Sequence, residues 1–445
     1  MKRRNFINVA ALTGMGTMAG HFSHAGEVFP RKTPEKKDRS SGTAGWFTEK
    51  RFGMFVHWGL YAIPAVHEQY QQRYHIPRRQ YEQYAKQWDP VLFDPEKWLD
   101  LMQEAGMKYL TFTTKHHDGF CMWDTKQTSF NVMNTPYGKD ILGMLADACH
   151  KRDIPLSLYY SIVDWHHPNY PNRGRHHELP GPEEGDQPDW GKYMDFLKAQ
   201  VRELCTNYGK ISGFWWDMNV PQYRDPSVNA MIRELQPGIM INNRGFDEGD
   251  FGTPERDYHN KLPKDHAFTK PTEACQSVGM QSWGYRKDED YYSYRYLKQS
   301  MDRYLSRGAN YLLNVGPDEK GVIPGQPRDI LLNIGKWYHS VEGSYNDVEM
   351  LTGIGNNLLI TGRDNVLYVH LNPFPKGDTV GLYPLKVMPE EILLMNTSRP
   401  LRGEVVRKPY EKEAFLWIQD IPVNDHPNEI LVIRMRFNKP VRTRC

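Results

Sequence analysis

Short apolar runs that end in polar groups recur along this chain. Phe52-Gly-Met-Phe-Val-His57-Trp58-Gly59, Tyr109-Leu-Thr-Phe-Thr-Thr-Lys115-His116-His117-Asp118, Ile211-Ser-Gly-Phe-Trp215-Trp216-Asp217 and Ile239-Met-Ile-Asn242-Asn243-Arg244 all follow this pattern. Such runs predict buried strands. Amphipathic stretches separate them. Asp94 to Gly106 reads as a helix with an N-cap Asp, Pro at its first position and a terminating Gly. Asp140 to His150 reads as a second capped helix that leads into the strand Pro155–Ser161. Helices over 190–208, 226–236 and 290–307 follow, the last feeding the strand Asn310–Gly316, and a final one ends near 343. This alternation predicts a parallel sheet, and the count over residues 45–345 favours a (β/α)₈-like TIM barrel over a doubly wound sheet.

After about residue 347 the pattern changes. Asn357-Leu-Leu-Ile-Thr, Val366-Leu-Tyr-Val-His-Leu, Val387–Met395 and Ile430-Leu-Val-Ile-Arg-Met-Arg are short runs between turn residues, with no helical period. Residues 346–445 therefore read as an antiparallel β-sandwich.

The overall numbers change this picture little. A chain of 445 residues suits a large barrel plus a smaller module. The net charge of +2, with scattered Lys and Arg, points to no nucleic-acid or membrane partner. The 12 Trp and 26 Tyr suit the stacking of sugar faces, and equally a well-filled core. Residues 1–25, with Lys2-Arg3-Arg4 before a mildly apolar stretch, read as an export signal toward the periplasm or the medium. That stretch is too short and too polar for a membrane span. Residues 26–44 read as a flexible lead-in. The Cys count of five is odd and no CxxC occurs, so buried free thiols are expected.

In a parallel barrel the C-terminal strand ends meet at one mouth, where catalysis sits. Asp217 ends such a strand, and a carboxylate there is costly to bury without a partner or a chemical role. The competing reading is a helix N-cap or a loop salt bridge. His57 and the pair His116-His117 end two further strands and suit hydrogen bonding to hydroxyls. Adjacent strand residues face opposite ways, so the His pair does not suggest a metal centre, which needs three or four convergent ligands. Trp123 either walls the pocket or packs. Cleavage of a glycosidic bond needs a second carboxyl group, about 5–5.5 Å from the first when configuration is retained. Glu255 and Glu273 both qualify, and residue chemistry leaves that choice open. Arg244 either contacts sugar hydroxyls or holds a carboxylate ionised.

Seven segments in this order resemble glycoside hydrolase family 29, the retaining α-L-fucosidases. They are Phe52–Gly59, Lys115–Phe120, Tyr159-Tyr160-Ser161, Trp215-Trp216-Asp217, Asn242-Asn243-Arg244, Ser282-Trp283-Gly284-Tyr285 and Asn314-Val315-Gly316-Pro317. The resemblance implies that Asp217 is the nucleophile and that Glu255 is the acid/base, with Glu273 second. It implies that His57, Glu68, His116, His117 and Tyr159 hold the fucose hydroxyls. Trp215 and Arg244 would flank the anomeric side, and Trp283 would wall the C5 methyl. It implies a fucosylated glycan as substrate and no cofactor. Three segments depart from the family pattern: Gln69 and Thr272 replace aromatic residues, and Met218-Asn219 follows the nucleophile. The alternatives are a glycosidase for a related sugar such as α-L-galactose, or a non-catalytic fucose-binding protein.

Overall fold

Seven parallel strands curl around a core of aromatic side chains. They are β1 (Phe52–Val56), β2 (Tyr109–Lys115), β3 (Leu156–Ser161), β4 (Gly213–Asp217), β5 (Met240–Ile241), β6 (Glu273–Ser277) and β7 (Asn310–Val315). The structure is a computed structural model and describes residues 45–441, apart from 221, 257–265, 356, 357 and 411. The segments read as export signal and lead-in lie outside the described residues.

The strand order is β5-β4-β3-β2-β1-β7-β6. This is a barrel left open between β5 and β6. An irregular segment fills the gap. Phe251 bridges Asn242 just after β5, while Gly252 and Glu255 bridge Thr272 and Cys275 on the β6 side. Residues 251–255 thus act as an eighth stave without forming a regular strand.

The expected helices surround the sheet, and their starts follow local chemistry. Asp94, Asp140, Asp189, Asp225 and Ser293 each accept a backbone N–H of the first turn. Pro95 and Pro226 occupy first-turn positions, where no N–H is needed. The helix expected from 290 starts only at Tyr294, because Ser293 is its cap.

Strand alternation sorts the side chains into two layers. Phe55, Tyr109, Tyr159, Trp215 and Leu312 fill the barrel interior, while Tyr160, Trp216 and Phe214 pack outward with the helices. Gly53 is required in β1. A Cβ there would lie 2.3 Å from the Tyr109 ring, which crosses the strand at that point.

The C-terminal part is a two-sheet antiparallel sandwich. One sheet holds β8 (Glu349–Leu351), β9 (Leu359–Arg363), β10 (Val366–His370), β12 (Glu391–Leu394), β13 (Arg399–Pro400) and β16 (Val432–Arg436). The other holds β11 (Val380–Leu382), β14 (Arg402–Val406) and β15 (Phe415–Gln419). Ile360, Leu367, Val369, Leu416, Ile418 and Ile433 are among the residues of its core. The run expected to form a strand from Val387 does so only from Glu391. Val387 and Met388 are 54% and 47% exposed.

Candidate active site

The strand ends converge as the barrel requires. A cavity of about 560 Å³ at the mouth is lined by Phe55, His57, Glu68, His116, His117, Tyr159, Trp215, Asp217, Arg244, Glu255 and Trp283, among others. Two of the residues expected at the site are absent from this lining. Trp123 is fully buried in the outer core, with its indole N–H directed at Glu203. The chain turns back after Gly119, so Cys121 pairs antiparallel with Lys115 and carries Trp123 toward the helix Trp190–Thr206. Trp123 therefore packs and does not wall the pocket.

Glu273 is the other absentee. It opens β6 opposite Asn310, which opens β7, so it sits at the floor of the barrel and not at its mouth. Its Oε2 accepts the Tyr109 hydroxyl at 2.6 Å and its Oε1 accepts the Trp215 indole N–H at 3.0 Å. Burial raises its carboxyl to about 7. It lies outside the cavity lining, below the mouth, whereas Glu255 is part of that lining.

Asp217 ends β4 and is 12% exposed at its side chain. Tyr159 donates to its Oδ2 at 2.7 Å, and Arg244 Nη1 lies 3.2 Å from its Oδ1. Burial pushes this carboxyl up, but Arg244 and the Tyr159 hydroxyl outweigh burial and hold it below the usual range. The group is an ionised, oriented carboxylate at neutral pH.

Arg244 also binds Glu255, at 2.9 Å from the same Nη1. The two carboxylate oxygens therefore lie within about 6 Å of one another, on the short side of the separations that divide retention from inversion. Glu255 is 33% exposed, against 12% for Asp217. One carboxyl is shielded and the other reaches water. Arg244 is itself fixed: its Nε donates to Thr253 Oγ1 at 2.7 Å, its Nη2 donates to the Thr253 carbonyl, and its guanidinium lies 4.7 Å over the Trp215 ring.

The histidine tautomers follow from their partners. Asn314 Nδ2 donates to the Trp283 carbonyl, so its Oδ1 must accept from His57 Nδ1, at 2.7 Å. His57 Nε2 is then an acceptor. Ser161 donates to the Val163 carbonyl, so it accepts from His117 Nδ1, and His117 Nε2 is likewise an acceptor, 3.9 Å from Asp217. Burial lowers His57 to about 4 and His117 to about 3, and drives His116 well below its ordinary value. All three rings are neutral at pH 7. Two of them present lone pairs that suit hydroxyl donors.

Glu68 is held at one oxygen. Its Oε2 accepts the Ser282 hydroxyl at 2.6 Å and the Trp283 N–H at 2.9 Å. Trp283 stacks on His57 with ring centroids 5.2 Å apart.

Several lining residues carried no signal in the sequence. His177 accepts at Nδ1 from Gln69 Nε2, because Arg73 occupies Gln69 Oε1. Its Nε2–H is thus a donor, in contrast to His57 and His117. The amide at Gln69, where the family pattern has an aromatic residue, therefore orients an imidazole of the long loop after β3. Arg256 lies 4.6 Å over the Trp283 ring and donates to the Gly279 carbonyl. These loop residues lie outside any apolar period, so no pattern pointed to them. Among the described residues, no group of three or more His, Cys, Asp or Glu is arranged to hold a metal ion.

The arrangement brings together a shielded, ionised carboxylate, a solvent-reaching carboxyl group on the same guanidinium, and neutral imidazoles. Two carboxyl groups so placed are the equipment a glycosidase needs.

Comparison with known proteins agrees. The alpha-L-fucosidase family model matches residues 23–343. The tissue alpha-L-fucosidase of Rattus norvegicus is 27% identical over 412 residues, covering 82% of this chain and 85% of the rat protein. The structure of alpha-L-fucosidase isoenzyme 1 from Paenibacillus thiaminolyticus superposes with a TM-score of 0.80 at 32% identity, over 89% of this chain and 99% of that one. A GH29 alpha-L-fucosidase from Bacteroides thetaiotaomicron, described as a trapped covalent intermediate with 2-fluoro-fucosyl fluoride, superposes with a TM-score of 0.74. It is 26% identical, over 88% of this chain and 95% of that one. With a family model spanning most of its length and a barrel that superposes on that of a solved member, this chain belongs to the alpha-L-fucosidases, glycoside hydrolase family 29.

Proposed function

We propose that the protein removes terminal α-L-fucosyl groups from glycans, with retention, by double displacement. Asp217 attacks the anomeric carbon while Glu255 protonates the leaving oxygen. Glu255 then takes a proton from water, and that water displaces Asp217 from the fucosyl-enzyme. The observation that carries this reading is the shared Arg244 Nη1, which keeps both carboxyl groups within reach of one bond. The covalent intermediate described for the Bacteroides relative supports the same course. His57, His116, His117, Glu68 and Tyr159 bind the sugar hydroxyls, and Trp283 bounds the ring.

The test is hydrolysis of an aryl α-L-fucoside. Asp217→Ala is expected to lose at least about 10³-fold in kcat. Glu255→Ala is expected to slow release of fucose from the intermediate, and azide should restore turnover while giving a fucosyl azide of retained configuration. Full activity in Glu255→Ala would end its assignment as acid/base. A panel of aryl glycosides that includes α-L-galactoside tests the sugar. Fucose binding without turnover by the wild type would favour a non-catalytic role.

A further inference from the structure

The long loop after β3 brings into the catalytic cavity an imidazole that none of the seven family-like segments contains. His177 lines the cavity beside His117, with ring centroids 5.5 Å apart and the rings edge to face at 63°.

The loop holds this ring in one place. The His177 backbone is left-handed at φ 62°, a conformation that a non-glycine residue keeps only where its surroundings fix it. Trp165 donates its indole N–H to the His177 carbonyl at 2.7 Å, and Gln72 donates to the Glu178 carbonyl at 3.2 Å. The Glu178 carboxylate is fully buried. It gathers the Arg173 and Arg175 backbone N–H groups, the Arg175 guanidinium and the Tyr170 hydroxyl.

The proton on the ring is fixed as well. Arg73 can only donate, so the Gln69 carbonyl oxygen faces Arg73 Nε at 3.0 Å, and the amide N–H faces His177 Nδ1 at 2.7 Å. Burial lowers His177 to about 4, so at pH 7 the ring carries one proton, on Nε2. No described residue accepts that N–H in a hydrogen bond. His117 is the opposite case. Its Nδ1–H is held by Ser161, and its Nε2 lone pair lies 3.9 Å from Asp217. One ring offers an N–H and its neighbour a lone pair. A hydroxyl both donates and accepts, so a single one satisfies the two rings together.

We infer that His177 binds the substrate: its Nε2–H donates to a hydroxyl of the fucosyl group, and that hydroxyl donates to His117 Nε2. Gln69, where the family pattern has an aromatic residue, is the positioning residue that keeps the His177 proton on Nε2. The inference rests on the glycosidase reading of the cavity. It is tested by measuring kcat/KM for an aryl α-L-fucoside and its 2-, 3- and 4-deoxy analogues in the wild type, His177→Phe and Gln69→Leu. His177→Phe keeps a ring and loses the N–H, and its kcat/KM on the parent fucoside is expected to fall about ten-fold, with a smaller fall in Gln69→Leu. On one deoxy analogue, the one without the shared hydroxyl, both variants should match the wild type. Equal loss on all four substrates overturns the inference, because a change in packing alone acts that way. Undiminished activity on the parent overturns the role of the residue changed. Should His177→Phe fail to fold, Gln69→Leu decides by the same comparison. If the wild type does not hydrolyse the parent fucoside, the glycosidase reading falls by itself. Titration with free L-fucose then decides about His177: binding weakened about ten-fold in His177→Phe supports the contact, and unchanged or undetectable binding sinks it.

Discussion

Glu273 is a carboxyl group held without a cation, which gives it an unusual dependence on pH. Its bonds to Tyr109 and Trp215 only partly offset burial, and its pKa stands at about 7 in the folded protein. In the unfolded chain it returns to about 4.3. Between those values the folded state binds more protons, so this residue's effect on stability worsens as pH rises from about 4.3 through 7. His57 and His117 act in the opposite direction. Their folded values of about 4 and about 3 lie below the unfolded value, so they cost stability as pH falls below about 6.5. The wild-type curve superposes these effects, and only a difference experiment isolates one of them. Gln mimics the protonated acid, because it can still accept from Trp215. Glu273→Gln is therefore expected to be near neutral at pH 4.5 and to stabilise by up to about 3 kcal/mol at pH 8. Urea unfolding at the two pH values measures this. An equal effect at both would mean that Glu273 is ionised throughout.

Among the elements, the irregular stave over residues 251–255 matters most to the site. It closes the barrel, presents Glu255 at the mouth, and holds Arg244 through the hydroxyl and carbonyl of Thr253. Removing the hydroxyl leaves the guanidinium with one anchor fewer while its carboxylate partners remain. Thr253→Val is thus expected to lower kcat about ten-fold or more on an aryl fucoside, with Thr253→Ser near wild type. If valine and serine behave alike, the hydroxyl does not position Arg244. This stave also marks where sequence reading ran out. Asp217 was legible because an aromatic strand runs straight into it. Glu255 and Glu273 were not separable, since each sits in a polar stretch without a period. Register separates them: one bridges Cys275 near the mouth, and the other pairs with the first residue of β7 at the floor. Trp123 misled for a related reason. The reversal after Gly119 needs long-range pairing that nearby residues do not reveal.

At the scale of the whole molecule, one buried cluster joins the two parts of the fold. Asp302, on the helix Tyr294–Leu305 beside the barrel, accepts from His370 Nδ1 at 2.6 Å and from the Tyr345 hydroxyl at 2.7 Å through Oδ1. Its Oδ2 accepts from Asn372 at 2.9 Å. His370 ends β10 of the sandwich, and Asp302 and His370 are both fully buried. Thr361 donates to the Ser344 carbonyl, so it accepts from the other ring nitrogen of His370, at 2.9 Å. The ring is thus held at both nitrogens, between Asp302 and Thr361. Trp337 adds a second link, its indole N–H donating to the Ile430 carbonyl at 2.9 Å. Removing one member of a buried pair strands the other without a partner, at a cost of about 3–5 kcal/mol. Asp302→Ala is therefore expected to lower Tm by several degrees and to let the sandwich unfold before the barrel. Calorimetry should then show two transitions in place of one. Protein that is still folded should keep its kcat, because the cluster contributes nothing to the cavity lining. A single transition at the wild-type Tm would mean that the Asp302 cluster does not hold the sandwich to the barrel.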